Sequence, residues 1–159
     1  MRQISHALDT EHRQSVELLG RVEQAFARGQ GAALDPGFKA LAAAFTRLVE
    51  HDIGRHFAFE ESELFPRMAQ AGEGDIAELL KEEHDAIRAV ADEILPLAQA
   101  AAAGNLDPSG FAALKRGALE MVERQVAHIQ KETMALLPLL DDLLDDDTDR
   151  ELGFAYASN

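Results

Sequence analysis

The chain repeats itself. His56, Glu60, Leu64 and Pro66 return as His128, Glu132, Leu136 and Pro138, every member displaced by 72 residues. The offset extends towards the N-terminus, where Glu11-His12 maps onto Glu83-His84 and Leu34-Asp35-Pro36 onto Leu106-Asp107-Pro108. A duplicated unit of this kind restricts the fold to two equivalent halves. If the halves pack face to face, each lone His and each His-x-x-x-Glu meets its copy around one point.

The pattern inside each unit is helical. Ile4, Leu8, His12, Val16, Leu19 and Phe26 recur at helical spacing and predict a first helix over about 3–28, closed by Gly29-Gln30-Gly31. Asp35-Pro36 reads as the start of a second helix, over about 36–70, with Asp as cap and Pro at the first helical position. Its stripe runs through Phe38, Leu41, Phe45, Leu48 and Val49 to His56 and Glu60, and Pro66 and Ala71-Gly72-Glu73-Gly74 end or kink it. Asp75, with Glu78 in a capping box, opens a third helix over about 76–103, its stripe Ile76, Leu80, His84, Ile87, Ala91 and Ile94; Pro96 is expected to kink it. Asp107-Pro108 opens a fourth, over about 108–145. There Phe111, Leu114, Ala118, Met121, Gln125, His128, Glu132, Ala135 and Leu139 alternate by threes and fours.

Four long helices joined by short loops predict an all-α, up-down-up-down four-helix bundle spanning residues 1–146 as one domain. Residues 147–159 form a tail with room for a short helix, whose Leu152, Phe154 and Tyr156 would cover one bundle end. The acidic run Asp141, Asp142, Asp145, Asp146, Asp147, Asp149 and Glu151 reads as a solvated helix end.

Composition narrows the chemistry. No cysteine is present, so disulfides, thiolate ligands, iron–sulfur clusters and thiol nucleophiles are excluded. A formal charge of −14 argues against nucleic acid and anionic membrane surfaces as partners, because both call for clustered Lys and Arg. No apolar run reaches the ~20 residues that cross a bilayer, and the first residues lack an apolar signal segment. A cytoplasmic location is expected on these grounds.

In a helix, residues four apart share a face. His56/Glu60 and His128/Glu132 therefore each aim an imidazole and a carboxylate at one neighbourhood, and His12 and His84 lie in the facing stripes. Imidazole with carboxylate suits iron, manganese, zinc or nickel. Burying six ionisable side chains without partners costs several kcal/mol, which a metal would offset. A carboxylate can span two ions about 3.5–4 Å apart. Four His, two bridging Glu and one oxo or hydroxo bridge would then fill ten of twelve octahedral positions and leave two for a small ligand. His6 and His51 fall off the shared stripe and are expected at the surface. Glu61 and Glu63, whose repeat equivalents are Thr133 and Ala135, are expected outside the ligand set, with a place behind a ligand or as a substitute ligand left open. Phe45, Phe57, Phe59 and Phe65 are expected in the core, one or two of them walling the open positions.

With Glu-His in helices 1 and 3, and H-F-x-x-E-E-x-x-L-F-P and H-I-x-K-E-x-x-L-L-P in helices 2 and 4, the chain resembles the hemerythrin-like, or HHE cation-binding, family from about Ser5 to Leu144. The resemblance implies a four-helix bundle around a non-haem di-iron centre held by His12, His56, Glu60, His84, His128 and Glu132. It implies a protein that binds O2, senses O2 or iron, or handles NO or peroxide. Two departures from the oxygen carriers stand out. Arg88 occupies the place of their fifth His, and Glu132 lies four residues after His128 where they have Asp at five. The first departure leaves one iron more open and weighs against reversible O2 carriage. The readings left open are a module that binds or senses O2, NO or iron, an enzyme that reduces peroxide or NO, and a structural bundle with adventitious zinc.

Overall fold

The computed structural model describes residues 1–158, and among these every regular element is helical. Helix α1 spans Gln3–Ala27. Helix α2 runs over residues 38–70 as one rod in which two turns are widened to π geometry. Helix α3 spans Gly74–Ala102. Helix α4 covers residues 108–143 with one π turn, and a short α5 spans Asp146–Ala157. The first four form the bundle, α2 and α4 each packing against both α1 and α3. Among the described residues, no helix is long and apolar enough to cross a membrane.

The core falls into two apolar halves. One gathers Leu19, Phe26, Phe45, Ile94, Leu114 and Met121; the other gathers Ile4, Leu8, Leu64, Met68, Leu80 and Leu140. Between them lies a layer of buried polar side chains: His12, His56, Glu60, His84, Gln125, His128 and Glu132. Close contact between α3 and α4 relies on Gly117, where an added Cβ would sit 2.1 Å from Ile94 Cγ2.

The π turns carry the repeat into the backbone. Glu60–Leu64 and Glu132–Leu136 are both π turns, displaced by the same 72 residues. Pro66 and Pro138 follow them directly. A proline inside a helix offers no N–H and presses its ring on the carbonyl one turn back, and a widened turn ahead of it accommodates both. The extra residue per turn also shifts the helix face. Past Glu132 the buried seam is therefore Leu136 and Leu140, one residue later than the regular alternation through Ala135 and Leu139 predicts.

Other expectations are corrected. Helix α2 begins at Phe38, because the Asp35 carboxylate caps a turn by accepting the Gly37 N–H at 2.8 Å. Helix α3 begins at Gly74; Asp75 lies inside its first turn and no side chain caps it, so the Asp75–Glu78 box does not form. Pro96 leaves α3 continuous through Ala102. Val16 is 39% exposed, since repeated four-residue steps turn the stripe by about 40° each and carry it off the core face. Asp107 does cap α4, accepting the Gly110 N–H.

The acidic run is only partly a solvated end. Asp149 is buried and its carboxylate accepts the Gln3 and Ile4 N–H groups at 2.9 and 3.0 Å, while Asp141 accepts the Arg2 N–H at 2.9 Å. Helix α1 has no cap from its own sequence, so the C-terminal carboxylates cap its positive end from outside. Helix α5 buries Leu152 and Tyr156 in the lower apolar half, but Phe154 is 76% exposed and covers nothing.

Candidate metal centre

The repeat, folded on itself, places the six candidate ligands in one buried cluster. His12 and His56 approach with their Nε2 atoms 3.3 Å apart, and His84 and His128 do the same at 3.0 Å. Glu60 and Glu132 lie between the two pairs. Glu132 Oε2 is 3.6 Å from His12 and 3.9 Å from His56, while its Oε1 touches His128 and is 3.8 Å from His84. Glu60 Oε1 is 3.4 Å from His56 Nε2 and 3.3 Å from His84 Nε2. Two overlapping groups result: His12, His56, Glu60 and Glu132, and Glu60, His84, His128 and Glu132, each with its ligand atoms within 4.8 Å of one another. Both glutamates belong to both groups.

The ring orientations are set from behind. The Nδ1–H of His56 donates to Glu11 at 2.9 Å, that of His128 to Glu83 at 2.8 Å, and that of His84 to Glu61 at 2.7 Å. Each carboxylate is held by a cation: Glu11 by Arg55, Glu83 by Lys131, and Glu61 by Arg88 at 2.7 Å. Burial alone would raise the pKa of these three acids. The hydrogen bonds and charges of those His and cationic partners, with the Tyr156 hydroxyl on Glu11, bring each below the usual carboxylate range. A carboxylate facing Nδ1 fixes the proton there and leaves the lone pair on Nε2.

That tautomer tests the fit of a metal. Between His84 and His128 the two facing Nε2 lone pairs have no proton to share, and both oxygens of Glu60 and of Glu132 lack any hydrogen-bond partner within the described residues. Buried acceptors gathered this closely carry a large desolvation cost unless a cation joins them. Protons are the alternative cation. Burial lowers the basicity of His84, yet Glu132, Glu60 and Glu61 outweigh it and push its pKa up to about 9; for His56, burial is outweighed by Glu60 and Glu11 and the pKa rises well above normal. Against burial, the imidazoles of His12, His128 and His56 hold the Glu132 pKa well below normal. Imidazole nitrogens and shared carboxylates are the donors borderline divalent metals take, so the residues present fit a pair of metal ions.

The two halves differ in access. A cavity of about 200 Å3 reaches His12, His56 and Glu132, with Glu11, Gln14, Ser15, Phe57 and Gln125 in its wall. Gln125 is buried and its Oε1 has no partner. The repeat-equivalent groove, lined by Glu83, Ala86, Ile87, Glu120 and Arg124, stops short of His84 and His128. Buried Ile87 stands where the other half has Ser15, and Phe57 stacks on His84 at 3.7 Å with Phe65 5.3 Å away. His12 Nδ1 has no partner, because the repeat equivalent of Glu61 is Thr133.

His6 and His51 are exposed, and neither Glu61 nor Glu63 joins the ligand groups. Sequence reasoning gave no role at the site to Glu11, Glu83, Arg55 or Lys131, and placed Tyr156 only as a cover for one bundle end. The repeated Glu-His dipeptide was the available signal. Adjacent helical residues point about 100° apart, so each Glu reaches the His of a neighbouring helix while its own His turns inward.

The sequence profile of the hemerythrin HHE cation binding domain matches residues 3–140. The chain belongs to the hemerythrin HHE family and is a cation-binding helical bundle. A search of curated proteins returned no significant match.

Proposed function

We propose that this protein holds two iron ions, oxo- or hydroxo-bridged, and uses them to bind or sense a small ligand such as O2 or NO. The observation that carries the reading is the pair of buried glutamates shared between two His pairs. His12 and His56 would hold one ion, His84 and His128 the other, with Glu60 and Glu132 common to both. Bound there, the metals would supply redox chemistry and open coordination positions.

The chain's own residues decide what reaches them. Ser15 leaves open the passage that Ile87 fills in the other half, so the ligand arrives at the His12/His56 side. Phe57 and Phe65 seal His84. Arg88, in place of a fifth His, is spent on Glu61 and so supports His84 from behind. Gln125 offers the incoming molecule a donor and an acceptor in an otherwise narrow site. This favours a second reading, reduction of peroxide or NO, because peroxide both donates and accepts hydrogen bonds and gains from such a group where O2 gains less. A solvent-filled location such as the cytoplasm, with no membrane or nucleic-acid partner, suits both readings.

The test is metal analysis of protein purified without added metal, followed by stopped-flow spectroscopy of the reduced protein with O2, NO and peroxide. Two irons per chain and a reversible O2 or NO spectrum support the first reading. Multiple turnovers of peroxide or NO support the second. Zinc or no metal, without iron uptake on anaerobic reconstitution, rejects both.

A further inference from the structure

The family match ends at residue 140, yet a side chain beyond it reaches the metal centre. Helix α5 runs alongside α1. Asp149 accepts the backbone N–H groups of Gln3 and Ile4 at one end, and Tyr156 meets Glu11 at the other. The Tyr156 hydroxyl donates to Glu11 Oε2, the same oxygen that takes the His56 Nδ1 proton, and lies 3.1 Å from that Nδ1. Tyr156 is itself fixed on three sides. Its ring stacks on Phe59 at 4.7 Å, the Arg55 guanidinium lies over the ring 4.5 Å from its centroid, and Arg55 donates to its backbone carbonyl at 3.2 Å.

The other half shows what α5 adds. Glu83 holds His128 as Glu11 holds His56, but among the described residues its only cationic support is exposed Lys131, and no tyrosine stands behind it. The asymmetry falls on the half that faces the cavity. It also falls on the half where His12 lacks a partner for Nδ1, so His56 is the one cavity-side imidazole whose orientation is fixed.

We infer that α5 is a latch on the open half of the metal centre. Tyr156 is the positioning residue that holds Glu11, and through it His56, so docking of α5 and metal occupancy at His12/His56 stabilise each other. The inference rests on the two-metal reading above. Reciprocity is a thermodynamic necessity: whatever docked α5 adds to metal affinity, bound metal adds to α5 docking. Tyr156 is oriented by packing and its hydroxyl pairs with Glu11 and His56 Nδ1, so it acts by orienting His56.

The test titrates Co(II) into the metal-free full chain by calorimetry, for the wild type, Tyr156→Phe and Leu152→Ala, and follows amide hydrogen exchange over residues 146–157 with and without metal. Tyr156→Phe keeps the ring and its stacking and removes only the hydroxyl. The expected result is that one of two metal equivalents binds about 10–100-fold more weakly in Tyr156→Phe, the usual cost of losing a group that orients a ligand. Leu152→Ala, which loosens α5 without touching Glu11, should weaken the same equivalent. In the wild type, metal should slow exchange across residues 146–157, and this protection should shrink in Tyr156→Phe. A purely structural tyrosine would lower stability without separating the two affinities. Two equivalents with unchanged affinities in Tyr156→Phe, or exchange in α5 indifferent to metal in the wild type, overturns the latch and leaves the metal centre standing. No metal uptake by the wild type overturns both.

Discussion

Glu132 and Ser15 show how single side chains divide the work of the site. Glu132 offers one oxygen to each His pair and is fully buried. Glu132→Gln keeps the shape but replaces one oxygen by an amide nitrogen that cannot bind a cation. It should reduce uptake from two metals per chain to one or none, measured by elemental analysis after reconstitution; full retention of two would remove Glu132 from the bridge. Under the proposed function Ser15 governs access instead. Ser15→Ile copies Ile87 into the open half and should leave metal content at two while slowing reaction with NO or peroxide about tenfold or more in stopped flow. An unchanged rate would place the route elsewhere. The six candidate ligands were legible in sequence because duplication marks them twice: His12 with His84, and His56/Glu60 with His128/Glu132. Tyr156 was not legible, having no counterpart at the repeat offset and lying 100 residues from the His56 it supports. Glu61 was visible but unplaced, since its value lies in an Nδ1 proton on another helix.

Helix boundaries and faces were readable where propensity and periodicity ruled, and failed where the backbone left α geometry. Position 108 as a helix start and Asp107 as its cap follow from local chemistry alone. The seam beyond Glu132 could not, because a π turn adds a residue to the period and nothing in apolar spacing announces it. Leucine substitutions discriminate the two seams. Leu140 is fully buried, whereas Leu139 is only partly so. Leu140→Ala should cost about 2–5 kcal/mol in urea unfolding, and Leu139→Ala less than half of that. Equal costs would restore the unbroken alternation. The shared feature of Glu60 and Glu132 is therefore geometric as well as chemical. Each opens a π turn whose proline partner follows six residues later, so the duplicated ligand and the duplicated backbone distortion are one device.

The bundle as a whole carries a polar layer between two apolar halves, and its stability must depend on what cation that layer holds. Without metal the cation is the proton. The His84 pKa of about 9 lies above the ordinary value near 6.5, so its contribution to folding is complete below pH 6.5 and is lost as pH rises through 9. A displacement of that size corresponds to about 3 kcal/mol, with His56 shifted in the same direction. Glu11, Glu61 and Glu83 have lowered pKa values, and their contribution is lost at the other extreme, as pH falls below about 4.5. Metal-free protein should thus be most stable between these limits and weaken from pH 6.5 to 9. Metal reverses the alkaline slope. A cation at Nε2 displaces the proton, so affinity rises with pH until the imidazoles are neutral. Ligand in excess at a thousand times its dissociation constant adds roughly 4 kcal/mol. Urea unfolding at pH 6.5 and 8.5, with Co(II) and with chelator, should give stabilities that diverge as pH rises, falling without metal and holding or increasing with it. Parallel pH profiles in the two conditions would mean that protons and metal do not compete for these nitrogens, and would separate the buried histidines from any metal-binding role.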